Sequence, residues 1–240
     1  MYGWRGRIGL IIPSSNTTME SEFWKVLGPT GVSVHTARIT LINVTAKELK
    51  EMAEETISAA KRLATAEVDV IVFGCTSGSL LEGIEWEKSL VKKIEEATGI
   101  KAITTAGAVV QALRTLNVEK VVIATPYIDE INVREKKFLE DNGFKVLDVK
   151  GLNIARNTII GSQPPWAAYR LAKQVYKPEA QAVFISCTNF RSLEVIDPLE
   201  KDLGVPVISS NTASLWLALR TIGYREPIKG YGVLLEKYLR

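Results

Sequence analysis

The strongest constraint on this chain is that it is written twice. In the first half "GRIGLIIPSSNTTMESEFWKVL" is followed by "VSVHTARITLINV"; the second half answers with "EKVVIATPYIDEINVREKKFLEDNGFKVLDVKGLNI". In each copy an apolar run ends at a proline, Pro13 or Pro126, and a polar turn leads into an amphipathic stretch and a second apolar run. Farther on, "VDVIVFGCTSGSLLEG" pairs with "AQAVFISCTNFRSLEV", and "GIKAITTAGAVVQALRTL" pairs with "GVPVISSNTASLWLALRTI". The distance from Pro13 to Cys75 is 62 residues and that from Pro126 to Cys187 is 61. Four blocks in one order define a duplicated unit, and the fold must satisfy both copies.

Each unit alternates strand and helix. The short Val- and Ile-rich runs Ile8–Ile12, Val68–Phe73, Val121–Ala124 and Ala182–Ile185 read as strands buried on both faces of a parallel sheet. Between them lie helical patterns. One runs from Ala46 to Glu67, where Thr45 is a candidate cap and Glu48 stands three residues on. Pro164-Pro165 can open the helix of "WAAYRLAKQV", because proline fits a first turn. The expectation is an α/β fold of two pseudo-symmetric flavodoxin-like lobes, each a parallel sheet flanked by helices, with a cleft between them. Residues 1–112 plus 211–240 would form one lobe and 113–210 the other.

Ligands of such sheets bind beyond the carboxyl ends of the strands. Four polar loops fall at that end: "PSSNT" (Pro13 to Thr17), "TPYIDEIN" (Thr125 to Asn132), and the loops after the two Cys-Thr pairs. Helix N-termini beginning there would offer free N–H groups to an anion. No glycine-rich phosphate fingerprint is present, so a small carboxylate is the expected ligand.

The chain has only two cysteines, Cys75 and Cys187, and both follow a strand in the same local grammar. Two cysteines make no disulfide scaffold, and one histidine, His35, without a Cys-x-x-Cys motif supplies no metal site. His35 is read as structural or surface. On a pseudo-two-fold axis the thiols would face each other across the cleft, one on each side of a planar carbon. One thiolate could abstract a proton or attack while the opposite thiol donates one. A thiol starts at about 8.5, and helix N–H groups lower it towards neutrality. A buried cysteine is also an ordinary small hydrophobe; its placement at equivalent strand ends favours chemistry. The net charge of +3 comes from 30 basic and 27 acidic residues mixed along the chain. With no basic block, nucleic acid is not an expected partner. No apolar run reaches membrane-spanning length and nothing resembles a signal peptide, so the expected location is cytoplasmic, with no membrane partner.

"PSSNTTME", the cysteines in "GCTSGS" and "SCTNF", and "ATPY" between them resemble the aspartate/glutamate racemase superfamily over essentially the whole chain. Within it the chain resembles the branch of maleate cis-trans isomerases and arylmalonate decarboxylases. That resemblance implies a cofactor-independent enzyme, a homodimer, and conversion of maleate to fumarate. Cys75 would add to the double bond and Cys187 would supply a proton at the neighbouring carbon. Asn16, with Ser15 beside it, would bind a substrate carboxylate; Tyr127 would donate to a carboxylate; Asn157, thirty residues before Cys187, is matched by spacing. Thr76 and Ser77 match the dioxyanion hole of the decarboxylases, each donor contributing about 3 kcal/mol, and Thr188 and Asn189 repeat the pattern after the second cysteine. In the decarboxylases the first cysteine is glycine; this chain keeps both. The alternatives are an amino-acid (Asp/Glu-type) racemase, a decarboxylase-like enzyme using the same cleft, and a carboxylate-binding protein with inert thiols. No acidic residue adjoins either cysteine to meet a substrate ammonium, which disfavours an amino acid. Arg191 is read as a solvated helix residue.

Overall fold

In the computed structural model, which describes residues 2–240, the run "GRIGLIIP" forms strand β1 (Gly6–Pro13), buried along almost its whole length. The first half continues through α1 (Met19–Leu27), β2 (Val32–Ile39), α2 (Ala46–Glu54), α3 (Thr56–Ala64), β3 (Val70–Phe73), α4 (Thr76–Leu80), α5 (Ile84–Thr98), β4 (Ala102–Thr104) and α6 (Thr105–Thr115). The second half runs β5 (Lys120–Thr125), α7 (Asp129–Asp141), β6 (Lys145–Gly151), α8 (Asn157–Gly161), α9 (Pro165–Val175), β7 (Ala182–Ile185), α10 (Ile196–Leu203), β8 (Val207–Ser209) and α11 (Ser210–Thr221), with α12 (Val233–Lys237) closing the chain.

The duplication is realised strand for strand. The first sheet has the order β2-β1-β3-β4 and the second β6-β5-β7-β8, and every pairing is parallel. Ile11 pairs with Phe73 in one sheet and Ala124 with Ile185 in the other, so each cysteine lies two residues beyond the last paired position of its strand. Apolar side chains on both sheet faces explain the continuous Val/Ile runs, since helices cover both sides. Helices α6 and α11 occupy equivalent places, capped by Thr104 on Gly107 and by Ser209 on Thr212. Helix α11 is buried from Ser210 to Leu219, as expected of a helix enclosed on all sides.

One local expectation needs correction. The pattern Ala46–Glu67 is two helices, broken at Glu55, which ends α2 and begins α3. Leu49 and Met52, then Thr56, Ala59, Ala60 and Leu63, keep one apolar stripe across the break, so periodicity alone cannot reveal it. Thr45 does cap α2, accepting from Glu48 N at 3.4 Å, but the Glu48 carboxylate binds Ile42 N, Asn43 N and the Asn43 amide. That interaction shapes the loop before α2, which crosses to the other half. Asn43 forms an antiparallel bridge with Arg156, Val44 N donates to Ala155 O, and Asn157 N donates to Ile42 O. Among the described residues no helix is long and apolar enough to cross a membrane.

Candidate active site

Each expected site residue is buried except Ser15, which is partly so. Cys75 leaves β3 extended, at φ −141°, and caps α4: Gly78 N donates to its Sγ at 3.4 Å, and Ser77 Oγ lies 3.7 Å away. Gly78 packs closely there: a Cβ would lie 2.7 Å from Met52 Cε, which would have to move aside, and 3.1 Å from the Cys75 sulfur. Cys187 sits differently. Its φ of 88° is in the left-handed region that disfavours side chains. No helix starts behind it; the chain passes through a turn into a short 3-10 segment, Leu193–Val195. Its sulfur accepts from Asn189 N at 3.4 Å, and its own N–H donates to Ser210 Oγ at 3.0 Å. The twin grammar therefore yields two unlike backbones, and only Cys75 stands at a helix start.

The halves are stitched through this site. Thr188 Oγ1 donates to Gly74 O at 3.0 Å and accepts from the Asn16 amide at 3.0 Å. Asn16 Oδ1 takes Thr18 N and Met19 N, so one side chain opens α1 and reaches the second cysteine loop. Ser210 Oγ receives both Cys187 N and Thr76 Oγ1, joining the two Cys-Thr pairs through one oxygen. Asn157 Nδ2 donates to Ser15 Oγ at 2.8 Å, and Ser15 Oγ donates to Leu41 O at 2.5 Å. Asn189 gives its amide to Asn157 O and accepts Thr17 N, so its side chain is engaged in holding loops together. Tyr127 is 1% exposed and lies against the Cys187 side chain. All ten expected residues thus gather around the ends of the two central sheets. His35 stays on β2 beside Ser33, and Arg191 is exposed in a loop rather than a helix, paired with Glu194 at 2.7 Å.

Burial governs the electrostatics. Burial pushes the Cys75 thiol up, partly opposed by the Gly78 N–H and the Ser77 hydroxyl. Cys187 is pushed up to about 12, by burial first, with Tyr127 and Asn189 N working the other way and Cys75 and Glu135 adding to the rise. Tyr127 is raised well above its usual range by burial and then by Cys187. The expected fall of the thiols towards neutrality is therefore absent in this closed site, because desolvation outweighs the local donors. Both sulfurs rest as thiols, which suits Cys187 to giving a proton and requires Cys75 to lose one before attack.

Several residues that build the site escaped sequence reasoning. Glu22, buried on α1, accepts Ser192 N, Leu193 N and the Asn211 amide, and Asn211 also holds Thr188 O. Ser210 was visible only as the counterpart of Thr105 in the repeat, where each opens its helix. Among the described residues no group of acidic, histidine or cysteine side chains could hold a metal ion.

Three similarities match this geometry. The chain is 29% identical to a maleate isomerase of Geobacillus stearothermophilus, over 96% of this chain and 97% of that protein. It is 29% identical to an arylmalonate decarboxylase of Bordetella bronchiseptica, over 81% and 82% of the two chains. A Nocardia farcinica maleate cis-trans isomerase, solved with a covalently bound succinylcysteine intermediate, superposes with a TM-score of 0.93 at 27% identity, over 97% of this chain and 98% of that one. The family model for arylmalonate decarboxylase matches residues 8–235, and with two like parallel sheets each ending at one of the cysteines the chain belongs to that family, within the aspartate/glutamate racemase superfamily.

Proposed function

We propose that this protein is a cofactor-independent maleate cis-trans isomerase. The observation that carries the reading is the pair of cysteines at equivalent strand ends, cross-tied by Thr188 to Gly74 and by Ser210 to both loops. Relatives named as maleate isomerases span nearly the full length of this chain, and the succinylcysteine of the Nocardia structure is what thiol addition to such a double bond produces.

The reaction follows from the two thiols. Cys75 first releases its proton to solvent and then, as thiolate, adds to one olefinic carbon of maleate; the electron pair of the double bond moves to the neighbouring carbon as an enediolate. Ser77 and Tyr127 donate to the carboxylate that carries this charge, and Thr76 joins them by turning its hydroxyl from Ser210; such donors act most strongly out of water. Cys187 gives its proton to the neighbouring carbon, leaving a succinyl thioether on Cys75. Rotation about the new single bond brings the carboxylates apart. The Cys187 thiolate then takes the proton back, the carbon–sulfur bond breaks, and fumarate leaves with Cys75 again a thiolate. Asn16, Ser15 and Asn157 serve the second carboxylate, and Asn189 and Thr188 hold the loops that present them.

The racemase and decarboxylase readings are tested against this one by proton NMR in deuterated buffer with maleate, aspartate, glutamate and an arylmalonate. Isomerisation predicts fumarate from maleate alone; deuterium at Cα of an amino acid or loss of carbon dioxide from the arylmalonate would replace the assignment. A homodimer, a cytoplasmic location, independence of nucleic acid and membrane, and the lobe boundaries 1–112 with 211–240 and 113–210 belong to the same proposal. Sedimentation and limited proteolysis are the checks for the first and last of these.

A further inference from the structure

Glu135 is a buried acid that this reaction does not use. It lies on the inward face of α7 and is 1% exposed. Its Oε1 accepts the Ser186 hydroxyl at 2.5 Å, while Oε2 is buried with no hydrogen-bond partner. Ser186 is the residue before Cys187, and its N–H is held by Ala124 O at 2.8 Å. Glu135 therefore grips the chain at the point where it turns into the left-handed conformation of Cys187. Leu80, Phe138, Leu139 and Phe184 close around the carboxyl, and Thr76, next to Cys75, lines the same gap of about 10 Å³.

A half-paired carboxylate in apolar surroundings is costly, whereas a neutral carboxyl is far less so. Burial accordingly pushes Glu135 up to about 8, with only the Ser186 hydroxyl favouring the ionised form. The titratable groups facing it are Tyr127, from the turn before α7, and Cys187, from the loop after β7. Helix α4 adds Thr76 and Leu80, α6 adds Ala106 and Val109, and β7 adds Phe184, none of them charged. The charges on α7 beside it point outward, Arg134 paired with Glu130 and Lys137 with Asp141; Glu82, beyond α4, pairs with Lys50, and Arg114 at the far end of α6 is exposed.

We propose that Glu135 is a positioning residue for Cys187: uncharged, it holds Ser186 in place, and its ionisation sets a negative charge behind Cys187. That charge opposes loss of the Cys187 proton and repels a dianion from the cleft. The inference deepens the isomerase reading and rests on it for the dianionic substrate. Glu135 itself transfers no proton in the cycle.

The test combines infrared titration of the protonated carboxyl stretch, without substrate, with the pH–rate profile on maleate. In the wild type a carboxyl should ionise near pH 8 and an alkaline limb in kcat/KM should fall at the same pH. Glu135→Gln keeps an acceptor for Ser186 and should lose both the infrared signal and the limb. Ser186→Ala removes the one donor that favours the carboxylate, so both should move to higher pH; this variant decides the matter if Glu135→Gln does not fold. An alkaline limb unchanged in either variant, or a carboxyl signal indifferent to both, overturns the proposal. A wild type that leaves maleate untouched at every pH overturns the isomerase reading alone, because the infrared titration then still reports whether Glu135 is the neutral acid coupled to Ser186.

Discussion

The hydroxyl of Thr188 donates to the carbonyl of Gly74 at 3.0 Å, joining the residue after one cysteine to the residue before the other. The same oxygen accepts from Asn16. Thr188→Val should leave the Gly74 carbonyl and the Asn16 amide unpaired in a buried site, costing about 1–3 kcal/mol of stability. Misalignment of the thiols should lower kcat by up to roughly 100-fold. Thr188→Ser, which keeps the hydroxyl, should retain most of both. Denaturant midpoints and initial rates on the three proteins check this; a Val variant with wild-type kcat would mean the tie does not set the spacing of the cysteines.

The two thiols should fail in different ways. Cys75→Ala removes the group that forms the covalent bond, so mass spectrometry should find no adduct with maleate. Cys187→Ser keeps Cys75 but replaces the acid, so turnover should fall steeply while an adduct on Cys75 accumulates. An adduct on the Cys75→Ala protein, located at Cys187, would reverse the assigned roles.

Burial raises both thiols, Cys187 to about 12. In the resting protein iodoacetamide should therefore react slowly at neutral pH and should reach Cys75 before Cys187. Because only the thiolate attacks, each rate should rise about tenfold per pH unit below its pKa. Peptide mapping after timed alkylation reads the two sites separately. Rapid labelling of Cys187 near neutrality would contradict the closed, desolvated site.

Glu22 and Glu135 are buried carboxyls with raised pKa values, so the folded state binds their protons more tightly than the unfolded chain. Their contribution to stability is complete below the ordinary carboxylate range and is lost as pH rises through the folded value. For Glu135 that window runs from 4.5 to about 8. Over it the loss should be on the order of a few kcal/mol. Thermal unfolding across this range should show Tm falling with pH, and the Glu135→Gln protein should show a flatter curve. A Tm that climbs through the window would place both carboxylates in paired, ionised form.

The repeat made much of this architecture legible. Pro13 and Pro126, Cys75 and Cys187, Thr105 and Ser210 occupy equivalent places, so strand positions, parallel pairing and convergence of the four loops could be read before any coordinates. The breaks in the symmetry could not. The helix start behind Cys75 and the left-handed turn at Cys187 share a Cys-Thr sequence and differ because α4 follows one and no helix follows the other. Asn157 reaches the site through the Asn43–Arg156 bridge, a contact between distant segments that no local pattern encodes. Glu22 and Glu135 look like ordinary helix-face acids in sequence; only packing of α1 and α7 against the cysteine loops shows them buried.

The most direct test is a proton NMR time course of maleate with the purified protein and its Cys75→Ala and Cys187→Ala variants, each checked for folding by circular dichroism. The account predicts growth of the fumarate signal with the wild type and no growth with either variant. Unchanged maleate with the folded wild type, or full turnover by either single-cysteine protein, would contradict it.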